Sequence, residues 1–416
     1  MRVAVIGGGV VGLCSAFALD RAGCDVVLLE RGALGEGASR GNTGWISPTL
    51  STPLASPGTL RMGLRSALDP RGGLVIRPGL DTSWLRWLNG FRAASSRERF
   101  RRGVKALLDL NERTFPELDG YAAAGVEFEL HDGGIIVAAR SEKGIAWFAP
   151  VFEDLVSLGF AGGIERLDPA AARELEPALS DEVEHVVRTT VDRYVRPESL
   201  MAGLAAYLRS RGVELREHQG VHGLAPLGAA GWAVGAGGER IVADAVVVAT
   251  GADAPALLRP FGLRVPIVPA KGYSVTLRGE GTAPHHALYL CEPKIGVSGY
   301  AGGVRIAGVF ELPGRTLEAD PRRLGMVVAD ALRFLRDFRP AQGESLRDGW
   351  AGFRPATPDS LPLLGAVRDH PGLFVAAGHG MLGVTLAPAT GAVLAELVTG
   401  TPAPAWLEPM RPDRSF

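Results

Sequence analysis

The sequence is poor in cysteine, nearly neutral in charge and without a long apolar run. Its three cysteines, Cys14, Cys24 and Cys291, show no C-x-x-C spacing, which argues against a disulfide framework or a zinc site. No metal is therefore expected, and the cysteine usage fits a reducing compartment. A net charge of −1 gives no indication of a nucleic-acid partner. No uncharged apolar run reaches the roughly 18 residues of a membrane span. A soluble enzyme of one to three domains is expected from 416 residues.

The first thirty residues are typical of a complete βαβ unit. Residues 3–6 form a short β-branched run and lead directly into residues 7–12, which match G-x-G-x-x-G. Residues 13–21 have the composition of a helix, and residues 26–29 form a second apolar strand that ends at Glu30. This acidic residue stands 18 positions after Gly12. The arrangement predicts a dinucleotide site, whereas the glycines alone could equally belong to an ordinary loop.

Each part of this unit has a mechanical role in binding a dinucleotide. Gly7 allows the tight turn, Gly9 lets the backbone approach a pyrophosphate, and Gly12 lets the helix pack close to the strand. The start of the helix offers free N–H groups and a partial positive charge, which favour phosphate. The carboxylate of Glu30 is expected to accept hydrogen bonds from ribose hydroxyls.

A long polar loop follows, over residues 31–58, and begins at Arg31. Such a loop inside a domain is usually functional. Ser39, Asn42, Thr43 and Gly44 provide small side chains, hydroxyls and backbone N–H groups, which suit a flat polar ligand. The alternative is a disordered surface loop, but the position directly after Glu30 favours ligand contact.

The rest of the chain predicts two kinds of sheet. Residues 245–252 form a buried parallel strand that ends at Thr250 and Gly251, and residues 373–380 form a strand followed by a glycine turn. Between them, residues 265–310 alternate strands with glycine-rich turns, as in an antiparallel sheet. Residues 128–139 indicate a hairpin.

The predicted fold class is α/β, with a Rossmann-type dinucleotide-binding domain built on a parallel sheet and a second, antiparallel-sheet substrate domain. The dinucleotide-binding domain is expected to be discontinuous, over residues 1–58, 145–262 and 345–416. Residues 59–144 and 263–344 are assigned to the substrate domain.

These motifs resemble those of the D-amino acid oxidase superfamily of FAD enzymes over the whole length of the chain. The anchors are residues 7–12 with Glu30, residues 39–44, residues 246–252, and residues 350–355 together with residues 378–380. The Lys-Gly-Tyr-Ser segment at 271–274, Thr-Pro-Asp at 357–359 and Gly-His-Gly-x-Leu-Gly at 378–383 are most similar to the D-amino acid dehydrogenase (small subunit-like) branch.

The resemblance implies that the Rossmann-type domain is a GR2-like FAD-binding domain, with FAD as the cofactor. The absence of a cysteine or histidine attachment motif implies that FAD is bound non-covalently. By the Gly-x-Arg-Pro motif, Arg354 is the candidate partner of a substrate carboxylate; the alternative is a structural ion pair. Tyr273 is either a second donor to that carboxylate or a core residue. The implied cofactor contacts are Gly7, Gly9, Val10, Val11, Gly12, Glu30, Arg31, Ser39, Asn42, Thr43, Gly44, Val221, Thr250, Gly251, Gly378, His379, Gly380, Leu382 and Gly383.

The implied reaction is oxidative deamination of D-amino acids to 2-oxo acids, with electrons passed to a quinone or to oxygen. The alternatives are a peroxide-producing glycine or sarcosine oxidase, a D-proline or hydroxyproline dehydrogenase, and a non-catalytic flavin-binding subunit. Met381 or Leu382 stands where glycine oxidases carry an arginine, which disfavours that activity. A cytoplasmic location is expected. Peripheral association with the inner face of the membrane, the preferred amino acid and the oligomeric state stay open.

Overall fold

The computed structural model describes residues 1–57, 59, 73–76, 82–342, 346 and 349–416. Its helices are α1 Val10–Arg21, α2 Thr82–Ala94, α3 Arg97–Asn111, α4 Thr114–Ala123, α5 Glu142–Ile145, α6 Phe148–Ser157, α7 Pro169–Leu175, α8 Pro197–Ser210, α9 Ala254–Leu258, α10 Pro321–Leu332 and α11 Gly383–Val398. Its strands are β1 Arg2–Ile6, β2 Asp25–Leu29, β3 Trp45–Ile46, β4 Leu74–Ile76, β5 Leu130–His131, β6 Ile135–Ala139, β7 Ile164–Leu167, β8 His185–Thr189, β9 Arg193–Val195, β10 Glu214–Arg216, β11 Val221–Pro226, β12 Trp232–Ala236, β13 Glu239–Ala243, β14 Ala245–Val248, β15 Val268–Leu277, β16 Gly279–Glu280, β17 Ala287–Leu290, β18 Ile295–Tyr300, β19 Gly303–Leu312, β20 Arg339–Pro340, β21 Trp350–Ala356, β22 Leu363–Ala366 and β23 Leu373–Ala377.

A parallel sheet lies at the centre of the first layer, in the order β10-β2-β1-β14-β23, with β22 antiparallel at its edge. Its apolar runs are buried on both faces, as is usual for parallel strands. On β1, Val3 and Val5 face a core shared with α1, α8 and α11, while Ala4 and Ile6 face a core shared with the sheet β11-β12-β13. This arrangement confirms the predicted α/β class.

Helices α1 and α11 cross closely above this sheet, because α11 has a glycine at the crossing. A Cβ atom on Gly391 would lie 2.5 Å from the carbonyl oxygen of Cys14, a distance that no real side chain tolerates. The close crossing holds the start of α11 beside the start of α1. The glycine turn that precedes α11 therefore lies at the same edge of the sheet as the N-terminal glycine turn.

No helix in the described parts of the chain combines the length and apolar composition that a bilayer crossing requires.

The second layer is a mixed sheet in the order β21-β15-β19-β18-β17-β6-β8-β7, with β4 beside β19. One face of this sheet packs against α10, with Tyr273, Val275 and Ile306 in the shared core. The opposite face turns toward the parallel sheet and carries Arg305 and Ser298, whose side chains bond to the loop after Glu30. The second layer is therefore one wall of any site at the edge of the parallel sheet.

Strand β19 contains a β-bulge at Val309. Gly308 pairs with Tyr273 and Glu311 pairs with Lys271, so Val309 and Phe310 stand opposite the single residue Gly272. Val309 has a φ of +65°, a left-handed conformation that a β-branched residue rarely adopts. As a result, the side chains of Phe310 and Arg305 lie on the same face of the sheet. In a strand without a bulge, an even-numbered and an odd-numbered residue would lie on opposite faces.

The sheets do not follow the predicted domain boundaries. β7 and β8 extend the mixed sheet through β6, although residues 145–262 were assigned to the FAD-binding domain. Helices α3 and α4, assigned to the substrate domain, place Leu107, Leu110 and Tyr121 in the core of the parallel sheet. An amphipathic pattern shows that a helix has a buried face but does not name its partner. The boundaries predicted at residues 58 and 344/345 lie outside the described residues.

The hairpin predicted at residues 128–139 is wrong. β5 pairs with β9, whereas β6 pairs with β8 and β17, so the two strands belong to different sheets. Two short apolar runs separated by a glycine-containing turn are necessary for a hairpin but do not exclude separate partners.

Candidate active site

A cavity of about 640 Å³ opens at the carboxyl ends of the parallel strands. Gly7, Glu30, Thr250 and Ala377 follow or end strands β1, β2, β14 and β23, and all four line it. Crevices at this edge of an open α/β sheet are where such folds bind ligands. The other wall is strand β21 of the mixed sheet, which contributes residues 350–355.

The N-terminal glycine turn forms the floor of the cavity. Gly7 has a φ of +110°, and a Cβ atom on Gly12 would overlap the carbonyl oxygen of Gly7, so both positions require glycine. Gly9 differs, since its φ is −76° and an added Cβ would meet only the hydroxyl of Ser39, at 3.4 Å. The backbone of Gly9 therefore faces open space at the start of α1, as a phosphate-binding turn requires.

Glu30 is oriented by backbone amides on both sides. Its Oε2 accepts from the N–H of Gly8 at 2.7 Å, and its Oε1 accepts from the N–H of Gly32 at 2.9 Å. Each carboxylate oxygen keeps a second lone pair for a hydroxyl donor. Beside it, Arg31 forms an exposed 2.9 Å ion pair with Asp253 at the edge of the cavity.

The loop over residues 38–44 is anchored from the mixed sheet through its carbonyl groups. Nη1 of Arg305 donates to the carbonyls of Arg40 and Asn42, at 2.9 and 3.1 Å, and Arg305 is buried and paired with Glu198. Ser298 donates to the carbonyl of Thr43 at 2.8 Å. These bonds leave the other side of the loop to the cavity, where Ser39 Oγ accepts from the N–H of Val10.

His379 lies in the wall contributed by the turn before α11. It is buried and its Nε2 is 3.0 Å from the hydroxyl of Thr390. Burial lowers the pKa of His379 to about 4, because the charged imidazolium would lose its hydration. The side chain is therefore neutral at pH 7 and suits contact with an uncharged ring rather than with an anion.

Arg354 brings an unpaired guanidinium to the cavity. Its Nη1 donates to the carbonyl of Val309 at 3.0 Å, and its Cζ lies 5.8 Å from the centre of the Phe310 ring. Among the described residues, no carboxylate lies within ion-pair distance of it. Burial lowers the pKa of Arg354 to about 10, which still leaves it fully charged at pH 7. Such a cation needs an anion, and the cavity is where one can enter.

Comparison with known proteins decides the family. A model of the FAD-dependent oxidoreductase family (DAO) matches residues 2–397. The chain belongs to the DAO family of FAD-dependent oxidoreductases. The match confirms the resemblance and the cofactor expected from the sequence, FAD.

Curated relatives of this FAD-dependent oxidoreductase cover nearly all of its length. The D-amino acid dehydrogenase of Methylobacterium sp. (strain 4-46) is 35% identical over 413 residues, covering 96% of each chain. That of Xylella fastidiosa (strain 9a5c) is 34% identical over 415 residues, covering 97% of this chain and 93% of the relative. Among solved structures, glycine oxidase from Geobacillus kaustophilus shares the fold with a TM-score of 0.78 and 23% identity, covering 100% and 99% of the two chains.

Two structural observations indicate that the cavity fits FAD. Side chains added at Gly251 or Gly380 would meet no atom within 4 Å, so the backbone at these positions is open to a ligand. The hydroxyl of Thr250 is buried beside the cavity and has no hydrogen-bond partner among the described residues. An orphaned buried hydroxyl at such a place is explained by a polar ligand that accepts or donates there.

Most of the predicted contacts are brought together around this cavity. The residues that line it are Gly7, Gly9, Val10, Val11, Glu30, Arg31, Ser39, Asn42, Val221, Thr250, Gly251, His379, Gly380, Gly383 and Arg354. Those outside its lining are Gly12, Thr43, Gly44, Gly378, Leu382 and Tyr273. The glycines of this second group are needed for packing, as at Gly44, where an added Cβ would overlap the carbonyl of Val195. Leu382 packs against the core around α1.

Tyr273 lies on the opposite face of the mixed sheet from Arg354. Its hydroxyl donates to Glu311 at 3.1 Å and its ring is buried in the core under α10. The expected contact between Tyr273 and a substrate carboxylate does not match this position. The core tyrosine, which was the alternative, does match it.

Two supporting residues were not anticipated from the sequence. Arg305 stands among apolar residues in a strand whose other charged residue is Glu311, and a charge in such surroundings is a signal of a buried polar role. Trp350 packs over Gly41, where an added Cβ would overlap its ring, and so holds the loop against β21. Nothing in the sequence pattern distinguishes Trp350 from a core tryptophan.

Proposed function

We propose that this enzyme oxidises D-amino acids to 2-oxo acids and passes the electrons to a quinone or another acceptor. The observation that carries the proposal is the unpaired guanidinium of Arg354 in a cavity that fits FAD. The names of the curated relatives supply the D-amino acid class. When bound, FAD supplies the electron sink that no side chain provides.

Arg354 would bind the substrate carboxylate and thereby orient the α-carbon. A planar guanidinium presents two parallel N–H donors to a carboxylate, which fixes both position and direction. The bond from Nη1 to the Val309 carbonyl fixes one end of the guanidinium, and the Phe310 ring lies beside it. Oriented binding of this kind removes much of the entropic barrier to reaction.

The chain supplies no charged acid or base at His379, which is neutral at pH 7. The proposal needs none, because an amino acid bound with a neutral amine can lose the hydrogen on Cα together with its bonding electron pair, and one proton from nitrogen to water. FAD, when bound, would be the acceptor of the electron pair. The imino acid formed is hydrolysed by water to a 2-oxo acid and ammonia.

We propose that the enzyme acts on the cytoplasmic side of the membrane. Peripheral association with the inner face of the membrane would suit a quinone acceptor.

A substrate panel tests the proposal. The purified holoenzyme, given D-amino acids with an artificial dye acceptor, should produce 2-oxo acids and ammonia at rates well above those with the L-enantiomers. Dye or quinone reduction should exceed hydrogen peroxide release under air. Faster turnover of L-amino acids, glycine or sarcosine would contradict the substrate assignment, and stoichiometric peroxide would contradict the acceptor.

FAD should be released by acid, since we propose that it is bound non-covalently. None of the three cysteines is among the residues that line the cavity, and all three are buried elsewhere. After trichloroacetic acid precipitation, the yellow colour and the 450 nm absorbance should move to the supernatant. A pellet that stays yellow after washing would show a covalent link, and His222, which lines the cavity, would then be the first residue to replace.

A further inference from the structure

We propose that Gly272 is a positioning residue for Arg354, because its missing side chain leaves the space in which the guanidinium lies. The inference rests on the proposed function, since it concerns how the substrate's carboxylate partner is held. Gly272 itself does not line the cavity. It acts through Arg354.

The two residues are neighbours across a strand pair. Within the pairing of β15 with β21, Gly272 stands opposite Gly352 and Arg354 stands opposite Ala270. A Cβ atom built on Gly272 would overlap Nη1, Cζ and Nη2 of Arg354, all closer than 3.0 Å. The guanidinium therefore lies flat over the glycine backbone.

The backbone conformation does not by itself require a glycine at this position. Gly272 is not among the positive-φ glycines, so an L-residue could adopt its conformation. A glycine inside a strand weakens the strand and usually marks a place where another group approaches closely. Here that group is the end of a side chain from the next strand, and not a backbone segment.

The Nη1 end of the guanidinium meets the bulge in β19, the strand on the other side of β15. The carbonyl of Val309 accepts from Nη1 at 3.0 Å, and the Phe310 ring lies 5.8 Å from Cζ. Gly272 is the single residue opposite Val309 and Phe310 in this bulge. The bulge and the glycine therefore act together on the guanidinium. The Val309 carbonyl fixes one end of it, and the missing side chain at Gly272 lets it lie flat over the backbone.

Gly272→Ala should displace the guanidinium while leaving the fold intact, because the overlapping atoms belong to the flexible end of a long side chain. Misplacing a binding group by about 1 Å can cost around 100-fold in rate. We expect kcat/KM for D-amino acids to fall by about 10- to 100-fold, mainly through KM, with normal FAD content and melting temperature. The inhibition constant of the 2-oxo acid product should rise in parallel, because it carries the same carboxylate.

Gly223→Ala is the matched control. Gly223 is also a strand glycine without a positive φ, and its added Cβ would meet no atom within 4 Å. It should leave KM, kcat and FAD content unchanged. An equal rise in KM in both variants would overturn the inference.

The double variant separates a positioning role from a structural one. In an Arg354→Ala background the overlapping guanidinium is absent, so adding Gly272→Ala should cause no further loss of kcat/KM. An equal loss in both backgrounds, or a loss of FAD content, would show that Gly272 serves the sheet itself. If Gly272→Ala alone does not fold, recovery of folding in the double variant would support the clash with Arg354, and no recovery would refute it.

The same set of variants distinguishes the two proposals. If Arg354→Ala lowers activity and Gly272→Ala does not, the positioning role is wrong and the proposed function stands. If Arg354→Ala has no effect on amino acid oxidation, the carboxylate binds elsewhere and the positioning role of Gly272 fails with it. The proposed function itself fails if the wild-type holoenzyme does not oxidise D-amino acids.

Discussion

Arg354→Ala is expected to lower kcat/KM for D-amino acids by about 30-fold to several thousand-fold. Truncating one partner of a buried, charged hydrogen-bonded pair costs roughly 2–5 kcal/mol, and that range sets the fold-change. The loss should be large because no carboxylate among the described residues shares the charge of Arg354, so the substrate carboxylate is its proposed counter-ion. Steady-state kinetics with a dye acceptor measure the effect, and the flavin absorbance should show normal FAD content.

Arg354→Lys separates charge from geometry. A lysine keeps a positive charge but lacks the planar guanidinium, so the variant should have an activity between those of the wild type and the alanine variant.

Arg240→Ala is the matched control. Arg240 is an exposed arginine on β13 outside the cavity lining, and its loss should leave the kinetics unchanged. An Arg354→Ala enzyme with wild-type efficiency would show that the carboxylate binds elsewhere. An amine substrate without a carboxylate should be affected much less.

Gly9→Val is expected to yield a folded protein that purifies with little or no FAD. The backbone of Gly9 is extended, and an added Cβ would meet only the hydroxyl of Ser39, so the protein itself tolerates a side chain. We expect the two methyl groups of valine to occupy the part of the cavity at the start of α1, where a pyrophosphate is predicted to approach the backbone. The ratio of absorbance at 450 to 280 nm, before and after incubation with FAD, measures occupancy.

Gly120→Val serves as the control for this substitution. Gly120 lies in α4, has no positive φ and would gain a Cβ that meets no atom within 4 Å. Its FAD content should equal that of the wild type. Full occupancy in the Gly9→Val variant would show that the phosphate groups lie elsewhere, and a loss of circular dichroism in that variant alone would show that Gly9 is a folding residue.

Local chemistry made the dinucleotide-binding edge predictable from sequence. Gly7 and Gly12 are required by a positive φ and by a close approach between the helix and the strand, and both requirements act within ten residues of chain. Glu30 ends a strand that pairs directly with β1, so its place beside the glycine turn follows from the βαβ unit. Interactions between residues that are close in the chain can be predicted from the spacing of those residues in the sequence.

The spacing of residues did not predict which face of strand β15 turns toward the cavity. Period-two alternation separates Gly272 from Tyr273, but either face of β15 could have turned toward the cavity. The packing of α10 decides it, because Tyr273, Val275 and Leu277 complete the core under that helix. The Lys-Gly-Tyr-Ser motif does lie beside Arg354, but the residue that packs against the guanidinium is its glycine and not its tyrosine.

The Val309 bulge also limits which changes of chain length this part of the protein can accept. Because the bulge places one extra residue opposite Gly272, deleting Val309 would restore regular pairing and leave Phe310 and Glu311 on the faces that they now occupy. The straightened strand would lack the Val309 carbonyl that accepts from Nη1 of Arg354, so this deletion should preserve the core under α10 and disturb Arg354. Inserting one paired residue between Phe310 and Glu311 would instead exchange the two faces of the strand beyond it, because strand side chains alternate. The carboxylate of Glu311, which now accepts from Tyr273, would then face the guanidinium of Arg354, and such an insertion should be excluded in active descendants of this chain.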